Sequence, residues 1–428
     1  MSQDAPSTPQ LTVGVPKETF PGERRVALIP AVMGSLAKAR LEVVVESGAG
    51  SDAGYLDSQY SDVGVRIVEN RHHVFQQADI VLQVRAAGAN LENCQADIDQ
   101  LRDGQYLIGM CDPLGQAESM RKVAEKNVTS FALELLPRIT RAQSMDTLSS
   151  MASIAGYKAV LMAAAAVPRM FPMMMTAAGT MAPTKVFVMG AGVAGLQAIA
   201  TAKRLGAVVH AYDIRAAVKE EVLSLGAKFV ELDLETGGEG QSGGYAKQMD
   251  EEFYRRQREL MTKVIAGSDV VITTAAIPGR KAPVLVTAEM VAGMAAGSVI
   301  VDLAAEQGGN CELTKPNETI VENGVTIIGT INIPATVPFH ASQMFSKNIS
   351  TFLLSLVKDG EIAINLDDEV TRDTLVTRDG QVVNPRVREA LGLEPLEKAD
   401  NDGGDSEVEE SSEKNQTIET ESETEAQE

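Results

Sequence analysis

Positive charge is scarce in this sequence: 38 lysines and arginines face 59 aspartates and glutamates, a formal net charge of −21 over 428 residues. No basic patch or stripe interrupts that excess, so a nucleic-acid footprint is absent and no such partner is expected. Cysteine is scarcer still. Cys94, Cys111 and Cys311 form neither an even set nor a metal-type spacing, so free thiols in a reducing cytoplasm are expected and no metal site is. Histidine stops at four residues, His72, His73, His210 and His340. Uninterrupted apolar runs are missing too. The longest apolar tract, 159–183, is broken by Pro168, Arg169 and Pro172, whereas a membrane helix needs about 20 apolar residues in a row. The opening MSQDAPSTPQ is polar, so no secretory leader is expected.

The acidic excess is uneven. Residues 399–428 hold twelve acids against Lys414, a net of −11, which leaves −10 for the rest of the chain. That tail has almost no apolar content to offset its ordering entropy, and disorder is expected there.

What the chain does have is the stretch 185–213, KVFVMGAGVAGLQAIATAKRLGAVVHAYD. It reads as strand, glycine turn, helix, strand and a closing acid. Gly190 turns the chain, Gly192 bares the backbone to a pyrophosphate, and Gly195 lets the helix sit close on its strand. Val193 and Ala194 open a helix whose free N–H groups favour an anion. Asp213 suits two ribose hydroxyls and would repel a 2′-phosphate, which favours NAD(H) over NADP(H).

The length suggests about two to three domains. Strands are expected at 11–17, 42–46, 79–85, 106–111 and 130–136, with helices at 30–41 and 117–126. This alternation implies a doubly wound, mostly parallel sheet. Its first loop, Pro16-Lys17-Glu18, has no glycine fingerprint. The polar segment 137–146 then gives way to a helix with Asp146 or Thr147 as N-cap. Met162, Met170, Met173, Met174, Met175 and Met181 read as core packing between helices or domains.

Beyond the glycine turn, a helix at 215–225 and strands at 228–232, 269–274, 298–303 and 325–332 continue the alternation. Between them, 236–245 has no periodicity and is rich in glycine, which reads as a lid leading into a charged helix near 246–262. A helix at 342–358 looks like a return to the first domain, followed by short elements at 366–392. The fold expected is α/β: two Rossmann-like doubly wound parallel-sheet domains with a cleft between them. The first spans 11–147 plus 338–395 and the NAD(H)-binding second 148–337.

Several stretches, GVPKETFPGERRVALIP, PRITRAQSMDTLSSMASIAGYKAV, PRMFPMMMTAAGT, VMGAGVAGLQAIATAKRLGA and GGYAKQMDEEF, resemble the NAD(H)-binding component of proton-translocating NAD(P) transhydrogenase. The resemblance implies that hydride passes between NAD(H) bound here and NADP(H) on a separate beta subunit. A membrane-spanning subunit couples that step to proton movement. It further implies a homodimer, and a cytoplasmic chain peripheral to the inner membrane through its partners. Carried over by residue, it places Arg138, Gln143, Ser144, Met145 and Asp146 around the nicotinamide, with Ser149 just beyond. Tyr245 matches the tyrosine of a mobile loop, followed by Met249. Gly192, Val193, Ala194 and Gly195 match the pyrophosphate turn, and Asp213, Ile214 and Arg215 the ribose end. Gly244, Gln257 and Ala276 fall on further nucleotide contacts.

Alanine dehydrogenases share the fold and the opening motif. They carry a lysine and a histidine for their substrate at places that match Arg85 and the stretch 108–111, and here neither is present. Reductive amination needs a positioned proton donor and acceptor, while ring-to-ring hydride transfer needs neither. A nucleotide-sensing module without turnover is a third reading that shares every cofactor residue.

Overall fold

The computed structural model describes residues 11–231, 251–276 and 279–396, with the backbone alone for 251–257. The 236–245 loop and the acidic tail lie outside the described residues. Among them are two sheets. The first contains β1 (Thr12–Val15), β2 (Glu42–Glu46), β3 (Arg66–Val68), β4 (Ile80–Arg85), β5 (Tyr106–Met110) and β6 (Thr129–Ala132). After a small hairpin, β7 (Met174–Thr176) and β8 (Gly179–Met181), the second begins with β9 (Lys185–Met189), β10 (Val208–Tyr212) and β11 (Lys228–Phe229). It continues with β12 (Val270–Thr273), β13 (Val299–Asp302), β14 (Thr319–Glu322) and β15 (Val325–Ile328). A second hairpin, β16 (Val357–Lys358) and β17 (Glu361–Ile362), precedes β18 (Leu375–Arg378) and β19 (Gln381–Val382).

The first sheet runs β19-β18-β6-β5-β4-β1-β2-β3 and the second β11-β10-β9-β12-β13-β15-β14. Each has a parallel body in which the strand order reverses beside its first strand, at β1/β4 and at β9/β12. These are two Rossmann-like units, and the reversal points are where ligands bind in such sheets. Antiparallel edges finish both, β18 and β19 on the first and β14 on the second.

The strands form where β-branched residues run without a polar break, because both faces are covered. In β9, Val186 and Val188 enter one core while Phe187 and Met189 enter the opposite one. Ile80, Leu82 and Val84 of β4 likewise part from Val81. Expected strands are matched closely at 42–46 and 106–111. β3 was not foreseen, since Arg-Ile-Val is too short to show alternation.

Two long helices join the units. The connecting helix Thr147–Ala166 is long and apolar enough to cross a membrane, with a mean hydropathy of 1.3. Its packing assigns it elsewhere: Met151 and Ile154 enter the first core, and Ala159, Val160 and Ala163 the second. The return helix Pro338–Leu356 buries Phe345, Ile349 and Phe352 in the first core.

The methionine tract departs from its expected role. Met162 packs against the second core, but Met170, Met173, Met174, Met175 and Met181 are exposed on and beside the β7–β8 hairpin. Prolines explain the change. Pro168 and Pro172 stop the helix, and the chain leaves the core as a two-stranded ribbon before rejoining it at β9.

Candidate functional site

Gly190 ends β9 with φ +98°, a conformation that suits glycine, and a Cβ there would lie 2.4 Å from Thr274 Oγ1. A Cβ on Gly195 would lie 1.8 Å from the Gly190 carbonyl oxygen. Both glycines are demanded by the chain's own packing. Gly192 is not: its Cβ would meet only Arg215 Nη2, at 3.9 Å. Its bareness leaves an open cradle on the ligand side of the turn. Gly192 also serves as N-cap of the helix Val193–Arg204 without a side-chain cap, and no acid occupies the first turn. The orphan N–H groups and the helix dipole are therefore available to an anion. A pyrophosphate fits this donor set.

Asp213 follows β10 and is 9% exposed. Its Oδ2 accepts from the Ala191 amide at 2.7 Å and from Arg215 Nη2 at 2.9 Å. Its Oδ1 accepts from the Arg215 amide at 2.9 Å and from Arg215 Nε at 3.0 Å. Burial alone would raise the carboxyl pKa, but the Arg215 bonds and the two amides hold it below the usual carboxylate range. Ile214 and Arg215 are exposed beside it, and Val193, Ala194 and Ala276 also lie at the carboxyl edge of this sheet.

The loop of 138–146 sits on the first unit. Thr140–Met145 is a 3-10 turn whose Ala142 and Met145 are buried in the first core. Asn348 of the return helix donates to the Ser144 carbonyl at 2.9 Å and pins the loop from beneath. Arg138, Gln143 and Ser144 face outward. The side chains of Arg138 and Gln143 have no partner among the described residues, so their donors and acceptor stand ready for a ligand amide. Met145 is a correction: its side chain packs inward, so only its backbone can serve a cofactor. Asp146 is half-buried and caps the connecting helix, accepting from the Ser149 amide at 2.9 Å and from the Ser149 hydroxyl. Cap and ligand acceptor are compatible, since a carboxylate offers about four lone-pair sites.

Loop and turn are tied by the connecting helix. A Cβ on Gly156 would lie 2.0 Å from the Ala194 carbonyl oxygen, so the two helices touch where the cradle begins. Nine residues separate Gly156 from Thr147, about 14 Å of helix, so the nicotinamide loop and the pyrophosphate turn lie within one dinucleotide's span. Tyr245 and Gly244 lie outside the described residues, as does the side chain of Gln257.

Facing the second sheet, the first unit presents a self-filled edge. Glu18 is 8% exposed, and its carboxylate accepts from the amides of Val84 at 2.6 Å and Arg85 at 3.2 Å. Burial, and then the charge of Glu23, push its pKa up to about 8. Glu23 and Arg25 form a buried pair at 2.6 Å that Asn332 closes, accepting from Arg25 at 3.0 Å and donating to Glu23 at 2.9 Å. Burial opposes the Glu23 charge, yet Arg25 holds the group at about 2. Arg85 reaches Glu306 at 2.8 Å and Glu23 at 3.6 Å, and lies 4.1 Å from the Phe20 ring centroid.

Sequence reasoning missed the supports. Thr274 donates to the Gly190 carbonyl at 3.0 Å. Asn310, fully buried, brackets Ala275 by accepting from its amide at 2.9 Å and donating to its carbonyl at 2.8 Å. Asp302 holds the following loop by accepting from the amides of Ala304, Asn310 and Cys311. The Gly-Gly-Asn after β13 was the available signal, because a polar residue beside a strand end often bonds neighbouring backbone.

Comparison with known proteins adds lineage to this geometry. Residues 14–155 match the family model "Alanine dehydrogenase/PNT, N-terminal domain", and 159–385 match "Alanine dehydrogenase/PNT, C-terminal domain". The chain is 46% identical over 380 residues to the first of the chains that make up NAD(P) transhydrogenase subunit alpha in Rhodospirillum rubrum, covering 88% of this chain and 99% of that one. A solved transhydrogenase from Sinorhizobium meliloti is 42% identical with a TM-score of 0.75, covering 87% of this chain and 99% of its own. A solved L-alanine dehydrogenase is 25% identical with a TM-score of 0.74, covering 89% and 99%.

Proposed function

Because the matched models account for the chain from 14 to 385, it belongs to the alanine dehydrogenase/PNT family, and from that premise we propose that it is the NAD(H)-binding alpha subunit of a proton-translocating NAD(P) transhydrogenase. It is an oxidoreductase that acts with partner subunits: NAD(H) is held here and NADP(H) on the beta subunit, with proton movement in a membrane subunit.

NAD(H), when bound, supplies or accepts the hydride. The Gly192 cradle and the Val193 helix end would bind its pyrophosphate through backbone N–H groups. Asp213 would accept from the ribose hydroxyls. Gln143 would bond the carboxamide through donor and acceptor together, and Arg138 would donate to the amide oxygen. Asp146 would accept from the amide nitrogen while still capping its helix. These groups fix one ring at an exposed loop, as transfer to a second ring at about 3–3.5 Å requires. No proton passes to oxygen or nitrogen, so none of these residues needs to be an acid or a base.

The state of Arg85 carries this reading over an amino-acid dehydrogenase. Its guanidinium is committed to Glu306, Glu23 and Phe20, and arginine does not deprotonate in proteins. The four histidines sit in the helix Arg71–Gln77, in β10 and at the start of the return helix, away from the end of β5. The test is NADH oxidation by the purified chain given pyruvate and ammonium, with NADH binding followed by fluorescence. Binding without oxidation is expected. Oxidation would overturn the proposal and make Asp112, whose carboxyl is raised by burial at that strand end, the first suspect as proton donor.

The proposal extends to assembly. Residues 11–147 with 338–395 would act as one domain and 148–337 as the NAD(H) domain. A homodimer would cover the exposed methionines of the β7–β8 hairpin, where Met173 is 58% and Met175 75% exposed. An apolar ribbon of this kind is otherwise costly to leave in water. The chain would be cytoplasmic, reaching the inner membrane only through its partners.

A further inference from the structure

Asp213 carries four hydrogen bonds, and a carboxylate has about four acceptor sites. It is full. Two of the donors are backbone amides, from Ala191 and Arg215, fixed by the turn. The other two are Nε and Nη2 of the Arg215 guanidinium, one on each carboxylate oxygen, in the bidentate fork that arginine favours. Ribose hydroxyls cannot donate to Asp213 until that fork leaves. When it leaves, one site per oxygen is freed, the number that the two hydroxyls of one ribose need.

The guanidinium is free to move. The Arg215 side chain is 55% exposed, while that of Asp213 is 6% exposed. Arg215 Nη2 is also the atom nearest the empty side-chain position of Gly192, at 3.9 Å, so the fork lies over the cradle as well as on the acid. A positive, five-donor group is thus parked at the ribose end of the nucleotide site.

Resting on the NAD(H) reading above, we infer that Arg215 is a specificity-determining residue restrained by Asp213: it saturates the ribose acid in the free protein, and without that acid it would bind a 2′-phosphate. Wild-type discrimination then has two components. Asp213 repels the 2′-phosphate, and it also holds down the one guanidinium placed to accept it. An arginine near the ribose is a common way to accommodate that phosphate. Selectivity against NADP(H) at this site is therefore a property of the pair and not of the acid alone.

The experiment is a set of fluorescence titrations with NADH and with NADPH, using the full chain as wild type, Asp213→Ala, Arg215→Ala and the double variant. Wild type is expected to bind NADH and reject NADPH. Asp213→Ala should lose NADH affinity and gain NADPH affinity, by about ten- to a hundredfold each, the range of a hydrogen bond to a charged group. The double variant should lose the NADPH gain, and Arg215→Ala should still reject NADPH. Equal NADPH binding by Asp213→Ala and the double variant would overturn the inference, because Arg215 would then not be the phosphate's partner. So would an Asp213→Ala protein that binds NADH weakly and NADPH not at all. Wild type that binds neither nucleotide would overturn the underlying reading, and the inference with it. Asp213→Asn, which keeps an acceptor for the turn amides, replaces Asp213→Ala if the latter melts early by circular dichroism.

Discussion

The two units share a strand order and differ in what fills their reversal points. At β9/β12 the turn is bare: Gly192 presents backbone and nothing of the chain's own occupies the space beside it within 3.9 Å. At β1/β4 the corresponding crevice is filled from within. Glu18 takes the amides of Val84 and Arg85 that an anionic ligand would otherwise bond, and the Glu23–Arg25 pair packs beside it. Topology creates the crevice in both, and the residues of the first loop decide whether a ligand or a side chain occupies it. Fold alone does not confer a site.

The comparison can be broken most forcefully in the first unit. Glu23→Ala leaves Arg25 charged, buried and unpaired, which costs about 3–5 kcal/mol. Denaturant melts should show that loss, while NADH affinity of the folded fraction stays near wild type. In the second unit, Gly195→Ala drives a Cβ to within 1.8 Å of the Gly190 carbonyl. A cost of about 1–3 kcal/mol is expected from the overpacking, together with loss of NADH binding. Gly192→Ala sharpens the contrast because it meets no protein atom closer than 3.9 Å. Its stability should stay within about 0.5 kcal/mol of wild type, as for substitutions away from packed features. NADH affinity should nonetheless fall, which a titration beside a thermal melt would reveal.

A smaller effect concerns pH. The Glu18 carboxyl is raised from 4.5 to about 8 in the folded chain, so its neutral form is the one folding favours. That contribution is complete below about pH 4.5 and is lost as pH rises through 8. Glu23, lowered to about 2, works the other way, contributing above pH 4.5 and losing its contribution as pH falls through 2. Melting temperatures of wild type should therefore drop between pH 5 and 8.5 by more than those of Glu18→Gln. Parallel pH profiles for the two proteins would remove Glu18 from the account.

Much of the second unit was legible because its signals are local. Strand, glycine triplet, helix and acid lie within one stretch, and each glycine's task follows from its spacing. The supports were not legible, since they act across the chain. Gly156 looks like a tolerated helix glycine until its contact with Ala194 is seen. Asn310 brackets a loop 35 residues away. Glu18 sits in a loop without a fingerprint, and only the fold brings it to the amides after β4. The methionines misled for a related reason: composition marks them as apolar, while prolines decide that they leave the core. The loop of 138–146 is legible only through resemblance, and composition alone would leave Asp146 as a helix cap, which it also is.

The most direct test of the central claim is to mix the NADH-loaded chain with its NADP⁺-loaded beta subunit and follow formation of NADPH. The account expects hydride transfer only when both proteins are present. It expects Gln143→Ala to bind NADH nearly as wild type while transferring much more slowly. Transfer unchanged in Gln143→Ala, or NADH oxidation by the chain alone with pyruvate and ammonium, would contradict it.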